Sequence, residues 1–185
     1  MKQLSFVLVL FLTSFLQAET AHQSSDTVTV CGLSFVVPKT WVDAKPLNPV
    51  RARQWTVPAL KSGGAPGEVV IFFFGAGQGG DTKSNIDRWL TNVTAPDGSP
   101  AQSDITMRSV NGFKITQLLV FGTYTNPMAA TPGMPATPKP GFGLIGAVIE
   151  RPEGSFFFRF TGPEALIKSQ LVPFTKFLDS VKSNP

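Results

Sequence analysis

Val69-Val70-Ile71-Phe72-Phe73-Phe74 and, far downstream, Phe156-Phe157-Phe158-Arg159-Phe160 are apolar runs that do not alternate with polar residues. A strand that is apolar on both sides of its pleat must be covered on both faces. Two such strands predict a central sheet sandwiched between other elements. The cover has to come from other segments of the chain.

Two segments carry helical periodicity. Between Asp81 and Thr94 the apolar residues Ile86, Trp89, Leu90 and Val93 recur at helical spacing, with Asp81 placed as an N-cap. Near the end of the chain Phe174, Phe177, Leu178 and Val181 repeat that spacing, and Pro163 stands where a first helical turn tolerates proline. Pro173 lies inside this stretch, so a break or kink is expected near Ser169 to Val172.

The remaining signals are those of antiparallel strands. Thr27 to Val30, Cys31-Gly32 and Leu33 to Val37 read as two short strands about a tight turn, closed by Pro38 and followed by Trp41 as an anchor. Arg51 to Val57 is a weaker strand candidate, and Lys61 to Gly67 reads as a surface loop. Ile105 to Val110, Asn111-Gly112 and Phe113 to Thr125 form a hairpin pattern, and Phe142 to Glu150 leads into the turn Arg151-Pro152-Glu153-Gly154. Asn126 to Gly141 holds five prolines and no period, which marks a long loop. The expected class is α+β with a mostly antiparallel sheet.

Leu33-Ser34-Phe35-Val36-Val37-Pro38-Lys39-Thr40-Trp41 resembles the opening of PsbP-like domains, the family of the photosystem extrinsic subunit and of the Ran-binding Mog-like proteins. The close is similar too, with a buried hairpin, Thr161-Gly162-Pro163 and a last helix bearing Phe174, Leu178, Ser180 and Val181. Phe74-Gly75 to Trp89 looks like the exported bacterial members of that family. The resemblance implies an αβα sandwich with helices on both faces of the sheet. It does not imply photosystem or Ran binding, because no functional residue of either can be matched onto this sequence.

The N-terminus has the plan of a secretory signal peptide, with Lys2, thirteen mostly apolar residues from Leu4 to Leu16, and small residues at Ala18 and Ala21. That run is too short to span a bilayer core, which needs about 20 residues. The expected organisation is a signal peptide over 1–18, a disordered mature N-terminus over 19–26 and a single domain over 27–185. Secretion or a periplasmic location follows, without a permanent membrane span.

Composition narrows the function by exclusion. Apolar residues make up 42% and charged residues 15%, so a large core can form. The net charge of +4 is not gathered into a run or stripe, which argues against a nucleic-acid partner. Cys31 is the lone cysteine, so an internal disulfide is impossible, and it reads as a small buried hydrophobe. His22 is the lone histidine and lies in the polar segment before Thr27. That position, in the expected disordered N-terminus, disfavours Ser-His-Asp and Cys-His catalysis, and one histidine does not make a histidine-based zinc site.

Gly75-Ala76-Gly77-Gln78-Gly79-Gly80 formally fits a dinucleotide fingerprint, with Asp97 downstream. That fingerprint belongs to a parallel βαβ unit, whereas here the helix leads into hairpin strands. The bland account is a tight strand-to-helix connection. The milder functional account is an anion held by Gly75, Gly77, Gly79, Gly80 and Lys83 at a helix start. Ten acids from Asp43 to Asp179 are scattered singly, at turns and helix starts, so a glycosidase-like pair is disfavoured. Met128 and Met134 could bind copper(I) but sit singly in a loop, and Asn92-Val93-Thr94 is a glycosylation sequon only in a glycosylating host. Trp55, Tyr124 and Phe142 form either an exposed patch or, more simply, part of the core. No cofactor is assigned. The expectation is an exported, non-catalytic binding or accessory module with a protein or small-ligand partner in the envelope. The alternative is a hydrolase or other enzyme using scattered carboxylates or the glycine-rich turn.

Overall fold

The structure is a computed structural model that describes residues 26–127 and 134–184. The expected signal peptide and its cleavage after Ala18, His22 and Met128 lie outside the described residues. In chain order the elements are β1 (Thr27–Val30), β2 (Leu33–Val36), β3 (Val42–Asp43), β4 (Arg51–Val57) and β5 (Gly67–Phe73). Helix α1 (Thr82–Leu90) is followed by β6 (Val93–Thr94), β7 (Ser103–Val110), β8 (Phe113–Tyr124), β9 (Lys139–Glu150) and β10 (Phe156–Pro163). The chain closes with α2 (Glu164–Ser169), α3 (Leu171–Asp179) and β11 (Lys182–Ser183).

The large sheet runs β3-β4-β5-β10-β9-β8-β6, with β7 also pairing β8, and a small sheet joins β1, β2 and β11. All the ladders among the described residues are antiparallel. The two diagnostic runs are neighbours at its centre, in the register Phe72 opposite Phe157 and Val70 opposite Arg159.

Alternate residues of the central strands go to different apolar clusters, as the two-residue period of a strand requires. Ile145, Ala147 and Ile149 of β9 and Phe156, Phe158 and Phe160 of β10 pack with Leu166, Ile167, Phe174, Phe177 and Leu178. Leu144, Val148 and Phe157 pack instead with Ile86 and Trp89 of α1. The larger cluster has an aromatic centre: Phe177 lies 5.2 Å from Phe35, 5.1 Å from Trp41 and 5.9 Å from Phe158, ring centre to centre. Trp41 is tied as well as packed, because its indole N–H donates to Gln170 Oε1 at 3.0 Å. Gln170 itself (φ −102°, ψ 3°) separates α2 from α3, three residues before Pro173.

Three expectations are corrected. Cys31 is exposed rather than buried. It occupies the two-residue turn between β1 and β2 at φ 45°, where the chain reverses at the surface. Phe74 falls outside β5 and is 42% exposed, so the apolar run outlasts the cover over it. The long loop is also shorter than its composition suggests, since Lys139, Pro140 and Gly141 already belong to β9. Proline is tolerated there because these residues are at the exposed start of the strand.

Candidate functional site

The glycine-rich turn joins β5 to α1. Gly75, Gly77, Gly79 and Gly80 all have φ between 68° and 89°, a left-handed region that side chains other than glycine enter at a cost. Gly79 has a steric reason as well: a Cβ there would lie 2.6 Å from Phe157 and 2.7 Å from Phe74. The backbone thus accounts for the glycines without a ligand. Both β5 neighbours are antiparallel, so no parallel crossover surrounds the turn. Asp97 accepts hydrogen bonds from Ser99 Oγ at 2.6 Å and Ser99 N at 3.0 Å, a local turn that holds its carboxyl below the usual range.

The start of α1 is occupied from within. Asp81 accepts from the Ser84 backbone N–H at 2.8 Å and from its hydroxyl at 2.7 Å, which lowers the Asp81 pKa and places a carboxylate where an anion would sit. Lys83 turns to Asp87, 2.5 Å away along the helix. Lys114 pairs with Glu150 at 3.2 Å, and Arg151 with Glu153 at 3.1 Å. The cations around the turn are therefore matched by acids.

What the turn does assemble is the edge of a different feature. Asn85, 1% exposed, donates from Nδ2 to the carbonyls of Gly79 and Asp81, both at 2.9 Å, and clamps the turn onto the helix. Its Oδ1 accepts from the Arg88 guanidinium. Next to this clamp a cleft of about 370 Å³ opens between the end of β5, α1 and the chain leaving β8 at Asn126 and Pro127. Phe72 and Phe74 stack at 6.3 Å on one side, and Trp89 and Phe157 are also in its lining. Arg159 lines it too. No Asp or Glu does.

Arg159 is the unusual member. It is 6% exposed, its Nε has no hydrogen-bond partner, and its guanidinium carbon lies 5.5 Å from the centre of the Phe72 ring. Glu68, two pairs further along the β5–β10 ladder and on the same face, is held by Arg51 at 2.9 Å and by Gln54 at 3.2 Å. Tyr124 stands in the same field: burial raises its pKa, while Arg159 and Arg51 pull it down. A buried cation without a dedicated carboxylate is costly, and here the open side is the cleft.

Sequence reasoning singled out none of Asn85, Arg88 or Arg159. The available signal was Arg159 itself, one charge inside a run of phenylalanines. Other candidates disperse. Trp55 and Tyr124 are buried in different clusters, so they do not join Phe142 in an exposed patch. Asn92 of the sequon is 8% exposed. Met134 is 70% exposed. Among the described residues no group of three or more His, Cys, Asp or Glu is placed to hold a metal, and no helix is long and apolar enough to cross a membrane.

No protein-family model and no curated protein matches the chain. Solved structures do. LpqN, involved in cell envelope biogenesis of Mycobacterium tuberculosis, is similar over 83% of this chain and 83% of its own, at 12% identity and a TM-score of 0.51. The cyanobacterial PsbP of Synechocystis sp. PCC 6803 is similar over 82% of this chain and 86% of its own, at 13% identity and a TM-score of 0.48. The protein of unknown function PA94 from Pseudomonas aeruginosa is similar over 86% and 96%, at 11% identity and a TM-score of 0.47. At such identities the likeness is one of fold, and the LpqN overlap is the one that carries it. With an antiparallel sheet and helices packed on it, the chain resembles the PsbP-like domains to which its opening and closing residues point.

Proposed function

We propose that this protein is an exported, non-catalytic binding module, with a single domain over 27–185 built as an αβα sandwich, and that the cleft beside Arg159 is its binding site. The observation that carries the site is the pairing of a buried, incompletely hydrogen-bonded Arg159 with an opening free of acids. The split of β9 and β10 side chains between a cluster with α1 and a cluster with α2 and α3 supports helices on both faces. Export rests on the N-terminal sequence. An envelope setting agrees with the description of LpqN as involved in cell envelope biogenesis.

In this reading Gly75, Gly77, Gly79 and Gly80 shape the rim, holding Phe74 beside Phe157, and Lys83 supports α1 through Asp87. The enzyme alternative needs two carboxyls converging in one cleft, one with a raised pKa. Asp81, Asp97 and Glu150 are instead all held low, Glu150 by the Thr82 hydroxyl first and then by Lys114. Asp43, Asp87, Glu164 and Asp179 face Arg53, Lys83, Lys168 and Arg108 in separate ion pairs.

Site-specific photocrosslinking in the native envelope tests the proposal. A benzophenone amino acid at Phe74, on the cleft rim, is expected to give a discrete adduct whose mass tells a small ligand from a protein. The same group at Val172, 64% exposed on α3, serves as the control. Equal labelling from both positions counts against the cleft.

A further inference from the structure

We infer that the cleft takes an organic anion, with one acidic head, carboxylate or phosphate monoester, on an apolar body of aromatic or short-acyl size. This deepens the binding reading above and rests on it. Three observations set the class. The head is set by charge: Arg159 and Arg88 both line the cleft and no carboxylate shares it. A guanidinium with free N–H groups favours planar or tetrahedral oxyanions, which it can meet with charge-assisted hydrogen bonds. Among the described residues that line the cleft, the Arg159 Nε is a buried donor without an acceptor. Arg88 is oriented from behind by Asn85, which is in turn fixed to two backbone carbonyls.

The body is set by the walls. Phe72, Phe74, Trp89, Phe157 and Val50 present apolar surface, and Phe74 and Val50 are left 42% and 43% exposed. A free inorganic ion would leave this surface in water, whereas an aromatic or acyl group would cover it at about 25 cal/mol per Å². At about 370 Å³ the cleft is at the small end of ligand sites. A second polar group on the ligand has Asn92 to meet, since that side chain also lines the cleft.

The test uses the purified protein with octanoate, octyl phosphate, 1-octanol and inorganic phosphate as probes, followed by calorimetry and by NMR of the Arg159 Nε–H and Trp89 indole N–H signals. Octanoate or octyl phosphate is expected to move both signals and to bind at least tenfold more tightly than 1-octanol. Which of the two binds better identifies the head group. Arg159→Met is expected to weaken binding tenfold or more with an unchanged or higher Tm. Arg88→Gln, at an exposed position and with a side-chain amide that can still donate to Asn85 Oδ1, is expected to weaken it about threefold.

Equal affinity for 1-octanol overturns the anion and leaves the cleft standing as an apolar site. Equal binding of inorganic phosphate overturns the apolar body. An unchanged affinity in Arg88→Gln together with an unmoved Arg159 signal places any anion elsewhere and overturns the assignment. If no probe moves either signal, the inference falls, while the binding reading is decided separately by the crosslink from Phe74 against that from Val172.

Discussion

The two apolar clusters are made from the same strands but closed differently. The cluster under α2 and α3 is lined by buried aromatic and aliphatic residues, from Phe35 through Phe158 to Phe177, and its polar tie is the Trp41–Gln170 hydrogen bond. The cluster under α1 is smaller, and only nine residues of helix cover it. Towards β4 and β5 the side chains sharing its face become Arg159, Glu68, Gln54 and Arg51, joined in part by hydrogen bonds and an ion pair. One region spends its residues on packing. The other stops packing halfway across the sheet, and the cleft lies at that boundary.

Mutations can break this contrast. Phe158→Ala, in the closed cluster, is expected to cost about 3–5 kcal/mol, read as a lower urea midpoint with the m-value unchanged. A smaller loss is expected for Gly146→Ala, because the Trp89 ring lies on Gly146 and an added methyl overpacks the α1 cluster. That should cost about 1–3 kcal/mol, with a shift in Trp89 fluorescence. Phe74→Ala, on the open rim, is expected to change stability by no more than about 0.5 kcal/mol, while weakening the binding of octanoate to the cleft. If Phe74→Ala proved as destabilising as Phe158→Ala, the rim would be core and the contrast would be lost.

Acid should act gradually. Asp81, Asp97 and Glu150 have folded pKa values below their unfolded ones. Their contribution is therefore present above the unfolded values, about pH 4, and is lost as pH falls through the folded ones. Urea midpoints at pH 6 and pH 3 check this, and Asp81→Ala is expected to flatten the slope. Asp81 and Asp97 are exposed and Glu150 is half-buried, so the effect is the smallest of the set.

The same contrast explains what could be read in the sequence. The closed cluster was legible because its causes are local and periodic: the Phe156 to Phe160 run, the spacing of Phe174, Phe177 and Val181, the Asn111-Gly112 turn. Even the helix break was signalled by Pro173. The cleft was not legible, because its residues are brought together from α1, β5, β10 and the exit of β8, and no period links them. Gly75 to Gly80 drew attention as a motif, yet those glycines answer to backbone φ and to the ring of Phe157. Cys31 departs from the usual burial of cysteine for a related reason, since a residue type's average burial says nothing about a turn position.

The pairing of β5 with β10 has a consequence in time. Phe72 has to wait for Phe157 before the centre of the sheet exists, and the helices that seal the larger cluster come later still. Contacts so distant along the chain fold slowly. A polypeptide threaded through a membrane pore as it is made has no finished core until almost its last residues emerge. Under the export proposed above, such a chain stays loose enough to be threaded and becomes compact only on the far side.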